Sequence, residues 1–171
     1  LMQSLGGTYG PIGTIKAPLS PLKLPDDPAN REFLALWLAG LLSPKSTKLN
    51  ATMVGFFSQV VKEMYKLPAE QRNFTILQKL LAANDPMLGK EIGDYVAGGS
   101  KGDLFDLPSD TFRPGPIAGW NIAHVMDDPT KRGALASYLL HQMTMRLDGT
   151  PTIIVLDEGF SLLDNAIFGV Q

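Results

Sequence analysis

The chain opens with a stretch rich in glycine and proline and then changes to apolar residues that recur every three or four positions. Both proline and glycine disfavour helix, so residues 1–25 are predicted to form short extended pieces joined by turns, around residues 8–9 and 13–16. From residue 26 the apolar spacing is that of an amphipathic helix. The pattern therefore separates an irregular N-terminal segment from a helical one.

The first predicted helix begins at Asp26-Asp27-Pro28, where an acid can cap the helix and proline suits its first turn. Ser43-Pro44 is predicted to end it. Its buried stripe is predicted to consist of Phe33, Leu34, Trp37, Leu38 and Leu41.

Three further helices are predicted before residue 100: one over about residues 47–66, a short one from about Thr75, and one that begins at residues 85–86 and ends at 98–99. Their inward positions are predicted to be Met53, Phe57, Val60, Val61, Met64, Phe74, Leu77, Leu80, Leu81, Leu88, Ile92, Tyr95 and Val96. Residues 26–99 are therefore predicted to form a compact helical subdomain.

Residues 100–171 change back to a mixed pattern. A short strand is predicted at residues 111–112 and a buried strand at 117–122, followed by a helix over about 128–147 and a strand over the aliphatic run 151–156. The apolar face of that helix is predicted to carry Leu135, Leu139, Leu140, Met143 and Leu147. Strand, helix and strand would form a βαβ unit, whose crossover is right-handed in nearly all proteins.

Two acids, Asp157 and Glu158, follow the aliphatic run directly. An uninterrupted aliphatic run is typical of a strand buried on both faces of a parallel sheet, and ligands of open α/β sheets bind at the carboxyl edge. In Walker-type nucleotide hydrolases the first acid helps to hold Mg²⁺ and the second can orient the attacking water. An inert, solvated acid pair at the edge of an ordinary α/β sheet is the alternative interpretation.

The phosphate-binding half of such a site is missing from this sequence. No G-x-x-x-x-G-K-[ST] loop occurs; residues 6–10 are glycine-rich but lead into prolines, and neither Lys90 nor residues 98–102 have a strand–loop–helix context. Residues 98–102 are better explained as a helix end. Without backbone amides and a lysine to hold phosphates, the two acids have little nucleotide to act on.

Other polar residues carry weaker signals. Asn121, at the end of its predicted strand, is the candidate for a further polar contact in the site. His124 is expected to be a loop residue and His141 to be structural or exposed, while Arg132 and Arg146 are expected to form surface pairs on their helix.

Composition excludes several kinds of site. Hydrophobic residues make up 44% of the 171 residues and charged residues 19%, as in a folded globular protein. A net charge of -2 gives no electrostatic argument for binding nucleic acid or an anionic membrane. The absence of cysteine excludes disulfides and thiolate sites, and two distant histidines do not indicate zinc. No apolar run is long enough to span a bilayer.

Taken in order, the motifs resemble those of the conjugation and type IV secretion ATPases of the VirB-four/TraC type. The resemblance extends over nearly the whole chain, and the order and spacing of the motifs make it specific. The matching residues are 5–9, 20–22, 24–25, 28–34, 37–38, 98–99, 104–106, 119–122, 128–129, 147–158 and 162–163.

The resemblance implies a partial RecA-like P-loop NTPase core, with a parallel sheet and an all-helical insertion. It implies ATP and Mg²⁺ as cofactors of the full-length protein, with Asp157 as the Mg²⁺-associated Walker B acid and Glu158 as the catalytic glutamate. Family members are homo-oligomers at the cytoplasmic face of the bacterial inner membrane. They work with other secretion components, and other regions of those proteins provide the peripheral membrane association.

The sequence departs mildly from the family pattern at Ser20, where asparagine is expected, and at Phe160, where tryptophan is expected. We expect the chain to be a piece of a longer protein whose Walker A segment precedes Leu1 and whose later motifs follow Gln171. The domain division expected is 1–25 and 100–171 for the α/β core and 26–99 for the helical subdomain. The chain alone is expected not to hydrolyse ATP.

Two other functions remain open at this point. A DNA-translocating ATPase of the FtsK/HerA type would share the core, although the absence of a basic stripe argues against direct DNA binding by this chain. The other is a non-catalytic module that docks partner proteins through residues 26–99. Exposed apolar surface on those residues would favour it.

Overall fold

A computed structural model describes residues 4, 6–14, 17–42, 50–110, 112 and 115–157. In this part of the chain two short strands, β1 (Thr8–Pro11) and β2 (Ala118–Asn121), form a parallel pair with Thr8 opposite Ala118 and Pro11 opposite Asn121. Parallel strands need a crossover connection, and here the connection contains most of the helices. The α/β class with a parallel sheet is confirmed at this level, and the RecA-like arrangement stays a prediction.

The helices occur in the predicted order with two differences. Between the two strands lie α1 (Pro28–Leu42), α2 (Ala51–Tyr65), α3 (Phe74–Asn84), α4 (Pro86–Glu91) and the short α5 (Gly102–Phe105), and α6 (Pro129–Thr144) follows β2. The helix predicted from 85–86 to 98–99 ends at Glu91 and is followed by a 3-10 segment, Ile92–Tyr95, and the short α5 was not predicted.

Side-chain caps decide where several of these helices begin. The Asn50 side chain accepts a hydrogen bond from Met53 N, so α2 begins at Ala51. The Asn73 side chain caps α3 in the same way, so that helix begins at Phe74 and not near Thr75. Asp85 and Asp128 cap α4 and α6 as predicted, each followed by a proline in the first turn.

The core is one continuous cluster of buried side chains drawn from all parts of the chain. Helix α1 contacts both α2 and α6, and Trp37, which is 0% exposed, donates from Nε1 to Ala134 O at 2.9 Å. The Phe105 ring meets Trp37 edge-on at 5.0 Å. Since Leu19 and Leu135 belong to the same cluster as α1, the division into ranges 1–25, 26–99 and 100–171 stays a prediction.

The predicted apolar stripes are largely correct. All five residues predicted for α1 are buried, as are Phe57, Val60, Val61 and Met64 in α2. On α6 the buried face includes Leu135 and Leu139 but is centred on Ala134 and Tyr138, and the helix ends at Thr144, so Leu147 is half exposed. Ala134 lies at the contact with α1, where its carbonyl oxygen accepts from Trp37 Nε1, and the Tyr138 ring lies 6.2 Å from the Phe33 ring.

The predicted strand over residues 151–156 is wrong for this structure. Those residues have no regular secondary structure, and Ile153 and Val155 are 90% and 83% exposed. A strand is stable only when its backbone pairs with a neighbour, and in the described chain this run pairs with neither β1 nor β2. The predicted βαβ unit is therefore not formed by the described residues.

Two smaller strand predictions also change. The strand predicted at 117–122 is β2, which is shorter and half-buried rather than buried. Phe112 is buried but lies outside any strand, and Thr111 lies outside the described residues. Thr14 pairs with Ala17 in an isolated bridge where the second N-terminal extended piece was predicted.

Candidate functional site

Asn121 lies at the exposed carboxyl end of β2. Its side-chain Oδ1 accepts a hydrogen bond from Ala123 N at 2.9 Å, which closes a turn into the short 3-10 segment Ala123–Val125. Asparagine commonly makes such a bond two residues ahead. The amide oxygen is thus used locally.

The acid pair lies just beyond the exposed aliphatic run. Asp157 is in a turn and is exposed, and Glu158 lies outside the described residues. The sequence prediction that both acids project from a strand tip beside Asn121 is therefore not realised for Asp157, because the strand that would carry it does not form. The roles of the three residues remain predictions.

Two other kinds of site are absent from the part of the chain that the structure describes. No group of three or more histidine, cysteine, aspartate or glutamate side chains there could hold a metal ion. No helix among the same residues is long and apolar enough to cross a bilayer.

His141 is structural, as predicted. Its ring stacks on Phe33 at 3.9 Å, and its Nε2 lies 2.7 Å from the Asn30 side-chain oxygen. Asn30 Nδ2 donates to Asp27 and to Pro25 O, so its Oδ1 faces the histidine and Nε2 must carry the proton. Burial lowers the pKa of His141, an effect that the Asp27 carboxylate opposes. His124, by contrast, is exposed in the short 3-10 segment Ala123–Val125.

The loop before α1 is held in place by a tyrosine and an arginine side chain, and two arginine guanidinium groups pack against the tyrosine ring. The Tyr65 ring lies 4.7 Å from the Arg72 guanidinium and 5.5 Å from that of Arg31. Tyr65 OH donates to Pro25 O and Arg72 Nη1 donates to Leu24 O, so both loop carbonyls are occupied. Burial raises the pKa of Tyr65 to about 12, against the opposing charge of Arg72. The hydroxyl is therefore a constant donor at neutral pH.

Residues 98–101 form turns shortly after the 3-10 segment Ile92–Tyr95, near the helix end that the sequence predicted, and Gly102 begins α5. Gly98 adopts a positive φ of 85°, and Gly99 N donates to Val96 O. Such a left-handed residue is typical after a helical segment. This stretch therefore has a structural explanation and does not form a phosphate-binding loop.

A cavity that the sequence analysis did not foresee lies beside α1. It has a volume of about 540 Å³ and is bounded by the loop before α1, the loop that contains Asp110, and the end of α6. We call it the α1–α6 cavity. Its polar lining residues are Lys23, Asp27, Asn30, Asp110, Gln142 and Arg146. These residues come from distant parts of the chain, so no sequence spacing signals the cavity.

Comparison with known proteins finds relatives in bacterial secretion and conjugation. Over 162 residues, 87% of the chain, it is 30% identical to the type IV secretion system protein PtlC of Bordetella pertussis. Over 170 residues, 95% of the chain, it is 25% identical to the type IV secretion system protein VirB4 of Bartonella quintana. Over 152 residues, 88% of the chain, it is 23% identical to the conjugal transfer protein TrbE of Rhizobium radiobacter.

The chain spans about a fifth of the length of these relatives: 19% of PtlC, 21% of VirB4 and 18% of TrbE. No protein-family model matches the chain.

Proposed function

Because the chain is homologous over most of its length to the type IV secretion and conjugal transfer proteins PtlC, VirB4 and TrbE, we propose that it is the Walker B part of an ATPase that energises such a system. The homology is the observation that carries the proposal. It supports the same assignment that the order of motifs suggested, and the matches cover 87–95% of the chain.

In the proposed site, Asp157 is a Mg²⁺ ligand, Glu158 orients the water that attacks the γ-phosphate of ATP, and Asn121 makes a polar contact to the nucleotide. The donor chemistry fits, since Mg²⁺ in phosphoryl-transfer sites is held by one or two carboxylates together with phosphates and waters. Bound Mg²⁺ would neutralise charge on the transferred phosphate. The exposed position of Asp157 leaves it accessible for that role.

The proposal also includes the setting of the whole ATPase. Its partners are other type IV secretion components, it acts as a homo-oligomer, and it works at the cytoplasmic face of the bacterial inner membrane through regions other than this one. The names of the relatives support the secretion partners.

Docking of partners through an apolar helical surface has less support. In the described part of residues 26–99, Met87 is the large hydrophobic side chain that is strongly exposed, at 68%. A single exposed side chain does not form an apolar docking surface. A net charge of -2 likewise gives no electrostatic argument for DNA binding by this chain.

Two measurements test the proposed function. The purified 171-residue chain is expected to show no ATP hydrolysis, because it has no phosphate-binding loop. In a longer secretion ATPase that includes this segment, Glu158→Gln is expected to lower ATP turnover by about 10²–10⁴-fold while ATP binding persists. Asp157→Asn is expected to weaken the Mg²⁺ dependence of that binding.

The exposed Glu70→Gln is the matched control and should leave turnover unchanged. ATP hydrolysis by the isolated chain, if Glu158→Gln abolished it, would contradict the expectation for the chain. Full turnover by the longer ATPase with Glu158→Gln would contradict the role assigned to Glu158.

A further inference from the structure

The lining of the α1–α6 cavity contains hydrogen-bond donors that have no acceptor among the described residues. Gln142 is 8% exposed, and its Oε1 accepts from Arg146 Nη1 at 2.8 Å. Since arginine only donates, the atom facing it must be the amide oxygen, and the amide NH₂ points elsewhere. That NH₂ donates to no group among the described residues. The nitrogen is accessible at the cavity wall rather than sealed in the core, since the buried side-chain atoms without a partner in the described chain are Arg72 Nε and Tyr95 OH.

Two cations line the same cavity and also have unused donors. Arg146 Nη1 donates to the backbone and side-chain oxygens of Gln142, while Nε and Nη2 have no acceptor within the described chain. Lys23 Nζ donates to Pro108 O and, at 3.5 Å, to Leu107 O, which leaves one of its three protons.

The acids and carbonyls of the lining, in contrast, already have donors. The Asp27 oxygens accept from Asn30 N and Nδ2. Asp110 accepts from Ser20 N, Phe112 N and Tyr138 OH. The cavity therefore has spare donors and cations but few acceptors left for a cationic ligand.

We propose that the α1–α6 cavity binds a small oxyanion, a phosphate or carboxylate group, through Arg146, Gln142 and Lys23. The guanidinium of Arg146 lies 5.4 Å from the Phe112 ring and is fixed by its bonds to Gln142, so little side-chain freedom is lost when it binds. The volume of about 540 Å³ is in the range of small-ligand sites. None of these three residues belongs to the proposed ATP site.

The test is a titration of the 171-residue chain with inorganic phosphate at low ionic strength, followed by NMR. Saturable shifts are expected at the Gln142 side-chain amide and the Arg146 Nε–H. Arg146→Gln is expected to weaken phosphate binding by about tenfold or more, since a charge-assisted bond is lost. Lys23→Gln is expected to weaken it in the same direction.

Lys62→Gln is the control, because it removes the same charge from an exposed position on α2, outside the cavity, and should leave binding unchanged. A parallel titration with acetate distinguishes the sources: tighter phosphate binding indicates a phosphorylated ligand, and tighter acetate binding a carboxylate. Absence of saturable binding of both anions overturns the proposal. Equal phosphate affinity in wild type and in folded Arg146→Gln and Lys23→Gln variants also overturns it.

Discussion

Trp37 is one of the residues that join α1 to α6. It is fully buried, meets Phe105 edge-on, and donates to the Ala134 carbonyl oxygen. Replacing Trp37 by phenylalanine keeps an aromatic ring but removes the donor and part of the volume. We expect Trp37→Phe to lower the free energy of unfolding by about 1–3 kcal/mol in urea denaturation. Met87→Ala, at an exposed position, should change it by no more than about 0.5 kcal/mol, and equal effects of the two would contradict the assignment.

His141 is expected to make the free energy of unfolding depend on pH. Burial holds its folded-state pKa below the ordinary value of 6.5. The unfolded chain then binds the proton more readily, so the free energy of unfolding should fall as the pH drops below about 6.5 and be regained above it. His141→Gln should flatten this slope between about pH 5.5 and 7, where carboxylates titrate little.

Thermal unfolding of both proteins at several pH values measures the effect of His141. His124→Gln is the control: His124 is exposed in the 3-10 segment Ala123–Val125, so its replacement should leave the slope as in the wild type. A wild-type slope retained in His141→Gln would show that another group is responsible.

At the scale of an element, Asp128 determines where α6 starts. Its Oδ1 accepts from Thr130 N at 2.9 Å and from Lys131 N at 3.1 Å. Asp128→Ala leaves these amides uncapped and should destabilise the protein by about 0.5–2 kcal/mol. Asp128→Asn keeps the acceptor and should cost less, because only the charge interaction with the helix dipole is lost. Equal losses for the two variants, measured by urea denaturation, would argue against capping.

Two helical glycines should respond in opposite directions to the same substitution. A Cβ on Gly89 in α4 would lie 2.5 Å from the Ala82 Cβ and 2.7 Å from its Cα, whereas a Cβ on Gly55 in α2 would meet nothing within 4 Å. Gly89→Ala should therefore destabilise by about 1–3 kcal/mol. Gly55→Ala should stabilise by about 0.5–1 kcal/mol, because alanine favours helix. Chemical denaturation checks both, and stabilisation by Gly89→Ala would contradict the close α3–α4 contact.

On the scale of the whole molecule, the aliphatic run 151–156 lies outside the core. Because Ile153 and Val155 are strongly exposed, the double variant Ile153→Ser, Val155→Ser should change the free energy of unfolding by no more than about 1 kcal/mol. The same variant should also self-associate less, as measured by light scattering, since contiguous exposed aliphatic residues promote aggregation. Leu38→Ala, in the core, is the contrast and should cost about 2–5 kcal/mol. A comparable loss in the serine variant would mean that the run is buried.

The sequence alone determined the helices, most of their ends and their buried faces. The spacing of Phe33, Trp37 and Leu41 and the caps Asp85 and Asp128 act within one or two turns of chain, so a local pattern contains the information. It also indicated the α/β class and the likeness to secretion proteins. The sequence placed two helix starts near Thr47 and Thr75, whereas in the structure asparagine side chains cap these helices and set different starts. Neighbouring residues can also act as caps, so the sequence alone did not identify the residue that does.

Only the tertiary structure decided which extended segments pair and which side chains meet across the core. A strand requires a partner whose position no local pattern fixes, so β2 pairs with β1 while the more aliphatic run 151–156 pairs with neither. The stacking of His141 on Phe33 and the joining of Lys23 to Arg146 around one cavity likewise depend on how α1 and α6 pack. Such contacts join residues far apart in the chain, and they stabilise the protein only once the helices are packed together.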